Sequence, residues 1–211
     1  MVDQRIQSRK EKIARPHRPV QQRSRERRNE ILKTTAALLD RVGFDDLTTI
    51  LIAREQKISV GSLYHYFPNK QAILYALGEH WLAEYSAALE EIAHKQVEEL
   101  DLATFSELCL KRLLRVYKEQ KGILPLVQAM YAVPELRDLD ESHDDFVIAT
   151  MSELFRRLGL NQGKAELQRR ARLWLELSHA LLLDITEQTP AGARRSFADL
   201  VLLATTLIEQ K

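Results

Sequence analysis

The spacing of apolar residues predicts helices along almost the whole chain. Ile31, Leu38, Leu39 and Val42 recur at intervals that place them on one helical face, which predicts a first helix from about Ser24 to Val42, followed by Gly43. A long fourth helix is expected from Lys70 to beyond Val97. Further helices are expected at about 101–120, 122–132, 144–158, 164–188 and 190–208, with a charged loop or distorted turn at 136–145. Since no stretch is interpreted as a strand, the predicted fold class is all-α.

Two short helices joined by a tight turn are expected between Thr48 and Lys70. Thr48 or Thr49 caps the first helix and Ser59 caps the second, because a hydroxyl oxygen accepts from the free N–H groups of the first turn. Pro68 ends the second helix, and Asn69 caps the next. This arrangement is that of a helix-turn-helix, whose second helix enters the DNA major groove.

The second short helix carries most of the candidate DNA contacts. Its small residues allow a close approach to DNA, and its hydroxyl and ring N–H groups suit phosphates and base edges. The residues expected to face bases are Ser59, Val60, Gly61 and Ser62. Those expected to hold phosphates are Thr49, Tyr64, His65, Tyr66 and Lys70.

About a dozen positions in residues 24 to 77 resemble the N-terminal domain of the TetR family of one-component bacterial regulators. They include Gly43-Phe44, Thr48-Thr49, Ile58-Ser59-Val60-Gly61, Leu63-Tyr64 and Lys70. The chain departs from the family in the turn, where Gln56-Lys57 replaces the usual Ala-Gly. The resemblance implies a homodimeric repressor that binds a palindromic operator and that a small-molecule effector releases.

Three segments are therefore expected: a flexible basic arm at 1–23, a helix-turn-helix DNA-binding domain at 24–70, and a helical effector-binding and dimerisation domain at 71–211. Charge supports this division. Residues 1–75 contain 15 Lys and Arg against 8 Asp and Glu, whereas residues 76–211 contain 16 against 22. A basic first third favours a polyanionic partner.

Composition narrows the remaining classes of protein. A single cysteine, Cys109, excludes a disulfide framework and is consistent with the reducing cytoplasm. No run of 18 uncharged apolar residues and no signal-peptide pattern occur, so we expect a cytoplasmic protein with no membrane span. The common nucleotide-binding, hydrolase and metalloprotease motifs are missing from the sequence. We therefore expect a non-enzyme without cofactor, metal ion or catalytic residues.

The last two expected helices are apolar on more than one side, which favours a homodimer through a four-helix bundle. The resemblance also implies an effector pocket among the middle helices, although aromatic residues at helical spacing commonly form ordinary core. The candidate lining residues are Tyr85, Phe105, Cys109, Tyr117, Met130, Phe146, Trp174 and His179.

Two alternatives remain open at this stage. Glu91 with His94, and Glu176 with His179, are Glu-x-x-His pairs on two helices, as in di-iron enzymes built on a four-helix bundle. The other alternative is a DNA-binding adaptor that a protein partner controls without a small ligand. Helical proteins rich in glutamate contain such pairs by chance, so the DNA-binding regulator is the favoured hypothesis.

Overall fold

The computed structural model describes residues 20–209, and within that range every regular element is helical. The nine α-helices are α1 Val20–Asp46, α2 Thr49–Glu55, α3 Val60–Tyr66, α4 Lys70–Ala93, α5 Leu102–Glu119, α6 Ile123–Ala132, α7 Pro134–Arg157, α8 Lys164–Glu187 and α9 Pro190–Glu209. A short 3₁₀ turn, Val97–Glu99, precedes α5. In this part of the chain, no helix is both long enough and apolar enough to cross a membrane.

Side-chain caps begin the three helices that follow α1. The Thr48, Ser59 and Asn69 side chains each accept a hydrogen bond from the backbone N–H three residues further on, at 3.1, 3.0 and 2.7 Å. Each such cap contributes roughly 1 kcal/mol to helix stability. The expected caps are confirmed, with Thr48 rather than Thr49 at the start of α2.

The first helix is longer than the sequence predicts. It begins at Val20 rather than Ser24, so the last four residues of the expected arm are helical, and residues 1–19 lie outside the described range. Gly43 interrupts the helical geometry with φ 77°, which agrees with its expected role as a C-terminal glycine. The residues after it form a further short turn that ends at Asp46.

Two other boundaries differ from the predictions. The fourth helix ends at Ala93, not beyond Val97, because the chain turns at His94 into the 3₁₀ segment. The seventh helix begins at Pro134 and continues without a break through 136–145, where a loop or distorted turn was expected. Proline in the first helical turn is well tolerated, and the charged side chains of this stretch occupy positions on a regular helix.

The helices form a head and a body that share α4. Helices α1 to α3 form the head around buried side chains that include Ile31, Leu38, Ile52, Leu63 and Phe67. In the body, α7 packs between α4 and α8, and α9 packs on α5 and α8. Contacts between α1 and α6 add a second connection between head and body. One continuous hydrophobic core runs through both parts.

Candidate nucleic-acid interface and ligand cavity

Helix α3 presents a polar outer face and an apolar inner face. Leu63 and Phe67 are buried against the head, whereas Gly61, Ser62 and His65 are exposed. Ser59 accepts from the Ser62 N–H, and the hydroxyls of these two serines are 2.8 Å apart. The helix contains no acidic residue. Its exposed face therefore offers hydrogen-bond donors without a negative charge.

Tyr64 connects the exposed faces of the two short helices. Its side chain is 48% exposed, and its hydroxyl lies 3.2 Å from Thr49 Oγ1 at the start of α2. Ile50, the next residue of α2, is 69% exposed. Thr49 and Tyr64, two of the five residues expected to hold phosphates, thus lie together on one surface. Of the other three, His65 is exposed, whereas Tyr66 is partly buried against the core and Lys70 is half-buried.

The turn between α2 and α3 adapts to the unusual Gln56-Lys57 pair. Lys57 has φ 53°, the left-handed backbone region that glycine usually occupies. The Gln56 amide donates to the Glu30 carbonyl oxygen at 2.8 Å and also reaches the Thr34 hydroxyl, so it attaches the turn to α1. Two residues that differ from the family pattern therefore preserve the turn, one through its backbone and one through its side chain.

Lys70 has a contact inside the head that the sequence did not indicate. Its ammonium donates to the Phe44 carbonyl oxygen at 2.7 Å and lies 4.2 Å from the centroid of the Phe44 ring. Partial burial lowers the pKa of Lys70, and the charge of Asp45 opposes that shift. The side chain therefore joins the end of α1 to the start of α4.

A cavity of about 130 Å³ lies in the body, between α4, α5, α7 and α8 and beside α6. Its lining consists of Trp81, Leu82, Tyr85, Tyr117, Tyr131, Asp140, His143, Asp144, Leu175, Glu176 and His179. Tyr117 and His179 are joined by a hydrogen bond of 2.7 Å between the phenol oxygen and Nδ1. The cavity combines aromatic walls with carboxylates and imidazoles.

Three of the eight predicted ligand residues line this cavity: Tyr85, Tyr117 and His179. Four others, namely Phe105, Cys109, Met130 and Trp174, are buried in the core but do not line it, and Phe146 is half-buried on α7. Burial raises the pKa of the Cys109 thiol well above its usual range, so this cysteine is unreactive.

The charged groups of the cavity perturb one another. Burial raises the pKa of Asp144 to about 6, and the charges of Asp140 and Glu176 add to the shift. Burial likewise raises the pKa of Asp140. It lowers the pKa of His143 to about 4, and it also lowers the pKa of His179. At neutral pH the imidazoles are therefore uncharged while the carboxylates repel one another.

Sequence reasoning missed the acidic lining. His143 and Asp144 follow Asp140 by three and four residues on α7, and Glu176 precedes His179 by three on α8. Such spacings place side chains on a common helical face. The helical spacing of these polar residues was missed because the charged stretch interrupts the periodic pattern of apolar residues. A loop or distorted turn was therefore expected there.

A larger groove of about 800 Å³ lies where the head meets the body, and charged side chains such as Arg28, Lys33 and Lys121 line part of it. This groove is more open to solvent than the cavity in the body. The smaller cavity is better enclosed, and in its lining Trp81 Nε1 is buried with no hydrogen-bond partner among residues 20–209. We therefore regard the smaller cavity as the better candidate for a specific ligand.

The di-iron alternative finds no support in the described residues. His94 Nδ1 lies 2.7 Å from the Glu90 carbonyl oxygen, and Glu91 forms an ion pair with Arg112 at 2.9 Å. His179 bonds to Tyr117. Between residues 20 and 209, no three His, Cys, Asp or Glu side chains are grouped so that they could hold a metal ion.

The fold and the two sites define a class of protein: an all-helical chain with a helix-turn-helix head on a body that encloses a cavity. Residues 31–77 match the family described as bacterial regulatory proteins, tetR family. Residues 101–207 match the tetracyclin repressor-like C-terminal domain, which spans half of the chain. The protein belongs to the TetR family, and the predicted family and fold class are confirmed.

Individual relatives are similar mainly in the head. The HTH-type transcriptional regulator BetI of Pseudomonas aeruginosa is 37% identical over 65 residues, which are 31% of this chain and 33% of the relative. The tetracycline repressor protein class A from transposon 1721 of Escherichia coli is 41% identical over 56 residues, 26% of each chain. The matched part is thus a third or less of these relatives' length.

Solved structures extend the similarity to the body. A tetR-family transcriptional regulator from Streptomyces coelicolor has a TM-score of 0.67 at 20% identity, over 87% of this chain and 80% of its own. Reduced NemR of Escherichia coli has a TM-score of 0.62 at 20% identity, over 86% and 95%. At such low identity the likeness establishes the fold.

Proposed function

We propose that this protein is a homodimeric transcriptional repressor that binds a palindromic operator and leaves it when a small molecule occupies the body. The observation that carries the proposal is the exposed polar face of α3 within a head that matches the TetR family. Ser59, Val60, Gly61 and Ser62 would meet base edges. Thr49, Tyr64, His65, Tyr66 and Lys70 would hold phosphates, with Lys70 using donors that Phe44 leaves free.

Dimerisation through the last two helices is supported by their exposed leucines. Leu173 on α8 and Leu202 and Leu203 on α9 are 41%, 65% and 49% exposed. A fully buried leucine gains about 2 kcal/mol relative to an exposed one, so covering these side chains with a second copy is favourable. Sedimentation velocity is expected to show a dimer that Leu202→Glu dissociates. A monomer at every accessible concentration would contradict this part of the proposal.

Two connections could carry a signal from the cavity to the head. Helix α4 begins at the Asn69 cap, directly after α3, and continues to Trp81 and Tyr85 in the cavity wall. Tyr117 lies near the end of α5, and the Gly122 N–H that follows donates to Asp40 Oδ1 on α1 at 3.2 Å. A ligand that binds better to the arrangement unable to bind DNA would shift the population toward it.

The test is fluorescence anisotropy with DNA from upstream of the protein's own gene, against scrambled DNA, across a salt series. Specific binding is expected to exceed non-specific binding by about 10³-fold or more and to weaken steeply with salt. Tyr64→Ala is expected to weaken binding at least tenfold, with thermal unfolding to confirm that the head is folded. Tyr75→Ala, which removes an exposed tyrosine that lies neither on α3 nor in the lining of the cavity, is the matched control. Equal loss in both variants would contradict the assignment of Tyr64 to the DNA surface.

A further inference from the structure

Three aromatic rings in the cavity wall lie nearly perpendicular to one another. The rings of Trp81, Tyr85 and Tyr117 lie with their centroids 5.7 to 6.4 Å apart, and their planes cross at 72° to 82°. All three residues are almost completely buried. Three nearly perpendicular rings are suited to surrounding a compact group, and the faces of such rings attract cations within about 6 Å of their centroids.

The remaining walls of the cavity carry negative charge. Asp140 and Asp144 on α7 and Glu176 on α8 line the same space, and within residues 20–209 no lysine or arginine nitrogen lies within 4.0 Å of their carboxylate oxygens. The charge of Arg172 acts on Asp144, but this side chain is exposed and does not line the cavity. Glu176 is exposed as well, whereas Asp140 and Asp144 are partly buried. The charge of the two aspartates is therefore incompletely balanced, and a bound cation would balance it.

One buried donor in the lining also lacks a partner. Trp81 Nε1 has no hydrogen-bond partner in the described part of the chain, and this residue is 2% exposed. The Tyr85 hydroxyl is equally buried, but the Ser178 hydroxyl is within its reach. An unpaired buried donor is costly, and the Trp81 N–H can act only as a donor. A ligand oxygen that accepts from Trp81 would remove that cost. This observation does not depend on the carboxylates and favours a ligand with a hydrogen-bond acceptor.

The volume limits the size of the ligand. A cavity of about 130 Å³ is slightly smaller than the engineered lysozyme cavity of ~150 Å³ that holds benzene. The ligand therefore has about six heavy atoms, or projects a group of that size into the cavity. A hydrated metal ion would leave the aromatic rings unused, and among the described residues no cluster of metal-binding side chains was found.

We infer that the cavity binds a small organic ammonium ion that carries a hydroxyl or carbonyl oxygen. The ammonium group lies against the rings of Trp81, Tyr85 and Tyr117, with Asp140, Asp144 and Glu176 supplying the counter-charge. The regulatory consequence, release of DNA, rests on the function proposed above. Binding of the ammonium ion to the cavity does not depend on that function.

Three probes with the same number of heavy atoms separate charge from shape. They are 2-(dimethylamino)ethanol, which is cationic with a hydroxyl, N,N-dimethylpropylamine, which is cationic without one, and 3-methylbutan-1-ol, which has the hydroxyl but no charge. Binding is measured without DNA at pH 8 by calorimetry and by tryptophan fluorescence, since Trp81 lines the cavity. We expect the amino alcohol to bind at least tenfold more tightly than the neutral alcohol, and a few-fold more tightly than the amine.

Variants test whether the cavity is responsible. Asp144→Asn and Glu176→Gln are each expected to weaken binding of the amino alcohol about tenfold and to leave the neutral alcohol unchanged. Asp138→Asn removes an exposed carboxylate of the same helix that does not line the cavity, and it is expected to have no effect. Equal binding of the charged and neutral probes, no saturable binding of the ammonium probes, or equal loss in all three variants would overturn the inference.

Operator DNA is added last, so that the two proposals can fail separately. Release of DNA by the amino alcohol, reduced in Asp144→Asn, supports both. Ammonium binding to the cavity without any change in DNA affinity would support the cation site and contradict its role as the regulatory site. DNA that is bound specifically while no ammonium probe binds would support the regulator and overturn the cation site.

Discussion

The head and the cavity use polar side chains in opposite ways. On the head, Ser62, Tyr64 and His65 are exposed, so neighbouring hydroxyls and solvent can satisfy their hydrogen bonds before a partner binds. In the cavity, Asp140 and Asp144 are partly buried beside each other, and burial and mutual repulsion raise their pKa values. The head thus exposes its binding groups at little cost in stability, whereas the cavity holds charges that destabilise the empty protein. A ligand of the cavity is consequently expected to stabilise the fold more than its few contacts suggest.

The largest effect is expected from the core of the head. Leu63 is completely buried on the inner face of α3, and replacement by alanine typically costs about 3 kcal/mol when the cavity left behind cannot collapse. We expect Leu63→Ala to abolish specific DNA binding while binding of the ammonium probe in the body remains. Fluorescence anisotropy measures DNA binding, calorimetry measures binding of the ammonium probe, and denaturant unfolding at one fixed protein concentration measures the loss of stability.

Ile50→Ala is the control for the loss of stability, because Ile50 is in the same head but 69% exposed, and surface substitutions usually change stability by less than about 0.5 kcal/mol. If Leu63→Ala also removed ligand binding, the head and the body would form one cooperative unit. The stabilities of the head and the body could then not be compared separately.

The contact between head and body is expected to show the next largest effect. Gly122 has φ 67°, and a Cβ atom added there would lie 2.7 Å from the Ala36 carbonyl oxygen of α1. The left-handed backbone costs an alanine about 1 kcal/mol, and the clash adds to that, so Gly122→Ala is expected to lose about 2 kcal/mol or more. Thermal unfolding followed by circular dichroism measures the loss.

Gly159→Ala separates the two contributions. Gly159 has φ 89°, but nothing lies within 4 Å of an added Cβ atom, so this variant suffers the backbone penalty alone. We expect it to lose about half as much as Gly122→Ala. Equal losses would mean that α1 moves away from the added methyl group without cost. The proposed connection from Tyr117 through Gly122 to α1 would then be too compliant to move the head.

How well each region can be predicted from the sequence depends on how far apart in the sequence its interacting residues lie. The helix starts of the head depend on contacts three residues apart, such as Ser59 to Ser62 and Asn69 to Ala72, and these are visible in the sequence. The cavity instead depends on Tyr117 meeting His179 across 62 residues. No local sequence pattern indicates such a long-range contact, although both residues were among the candidate ligand-binding residues.

The same reasoning explains one wrong prediction and one contact that was not predicted. The charged stretch of α7 was expected to be a loop or distorted turn because Asp140 and Asp144 occupy inward positions that a core helix would fill with apolar residues. Lys70 is predicted to hold phosphate, and nothing in the sequence indicated that its ammonium also donates to the Phe44 carbonyl oxygen, 26 residues away. In both cases a polar side chain has a partner or a role that only the folded arrangement supplies.

A smaller effect, of opposite sign, is expected in the cavity. Asp144 has a pKa of about 6 when folded against a usual value of 3.8. Because the folded state binds the proton more tightly, the carboxylate destabilises the protein above pH 6, and this penalty disappears as the pH falls toward 4. Asp144→Asn removes it at every pH. After allowance for partial exposure, we expect the variant to be more stable at pH 7 by about 1 kcal/mol.

Chemical denaturation at pH 7 and pH 4 measures the gain, which is expected to shrink at the lower pH. The charges of Asp140, Glu176, Asp145 and Arg172 act on this group, so ionic strength is held constant. Asp138→Asn, on the exposed side of the same helix, is expected to change little. A destabilised Asp144→Asn variant would show that the carboxylate has a stabilising partner, and that the cavity does not differ from the head in the way described.

The smallest effect is expected in the turn of the head, where Lys57 is the one described non-glycine residue with positive φ. Glycine tolerates this backbone, whereas any residue with a Cβ atom loses about 1 kcal/mol there. Comparing Lys57→Gly with Lys57→Ala removes the lysine charge from both variants and leaves only the Cβ atom different. We expect the glycine variant to be more stable by roughly 0.5 kcal/mol, because the greater freedom of unfolded glycine offsets part of the gain. Thermal unfolding decides the sign. If alanine were as stable as glycine or more so, the turn would not need the left-handed backbone, and the Gln56 side chain bonded to α1 would be sufficient to position α3.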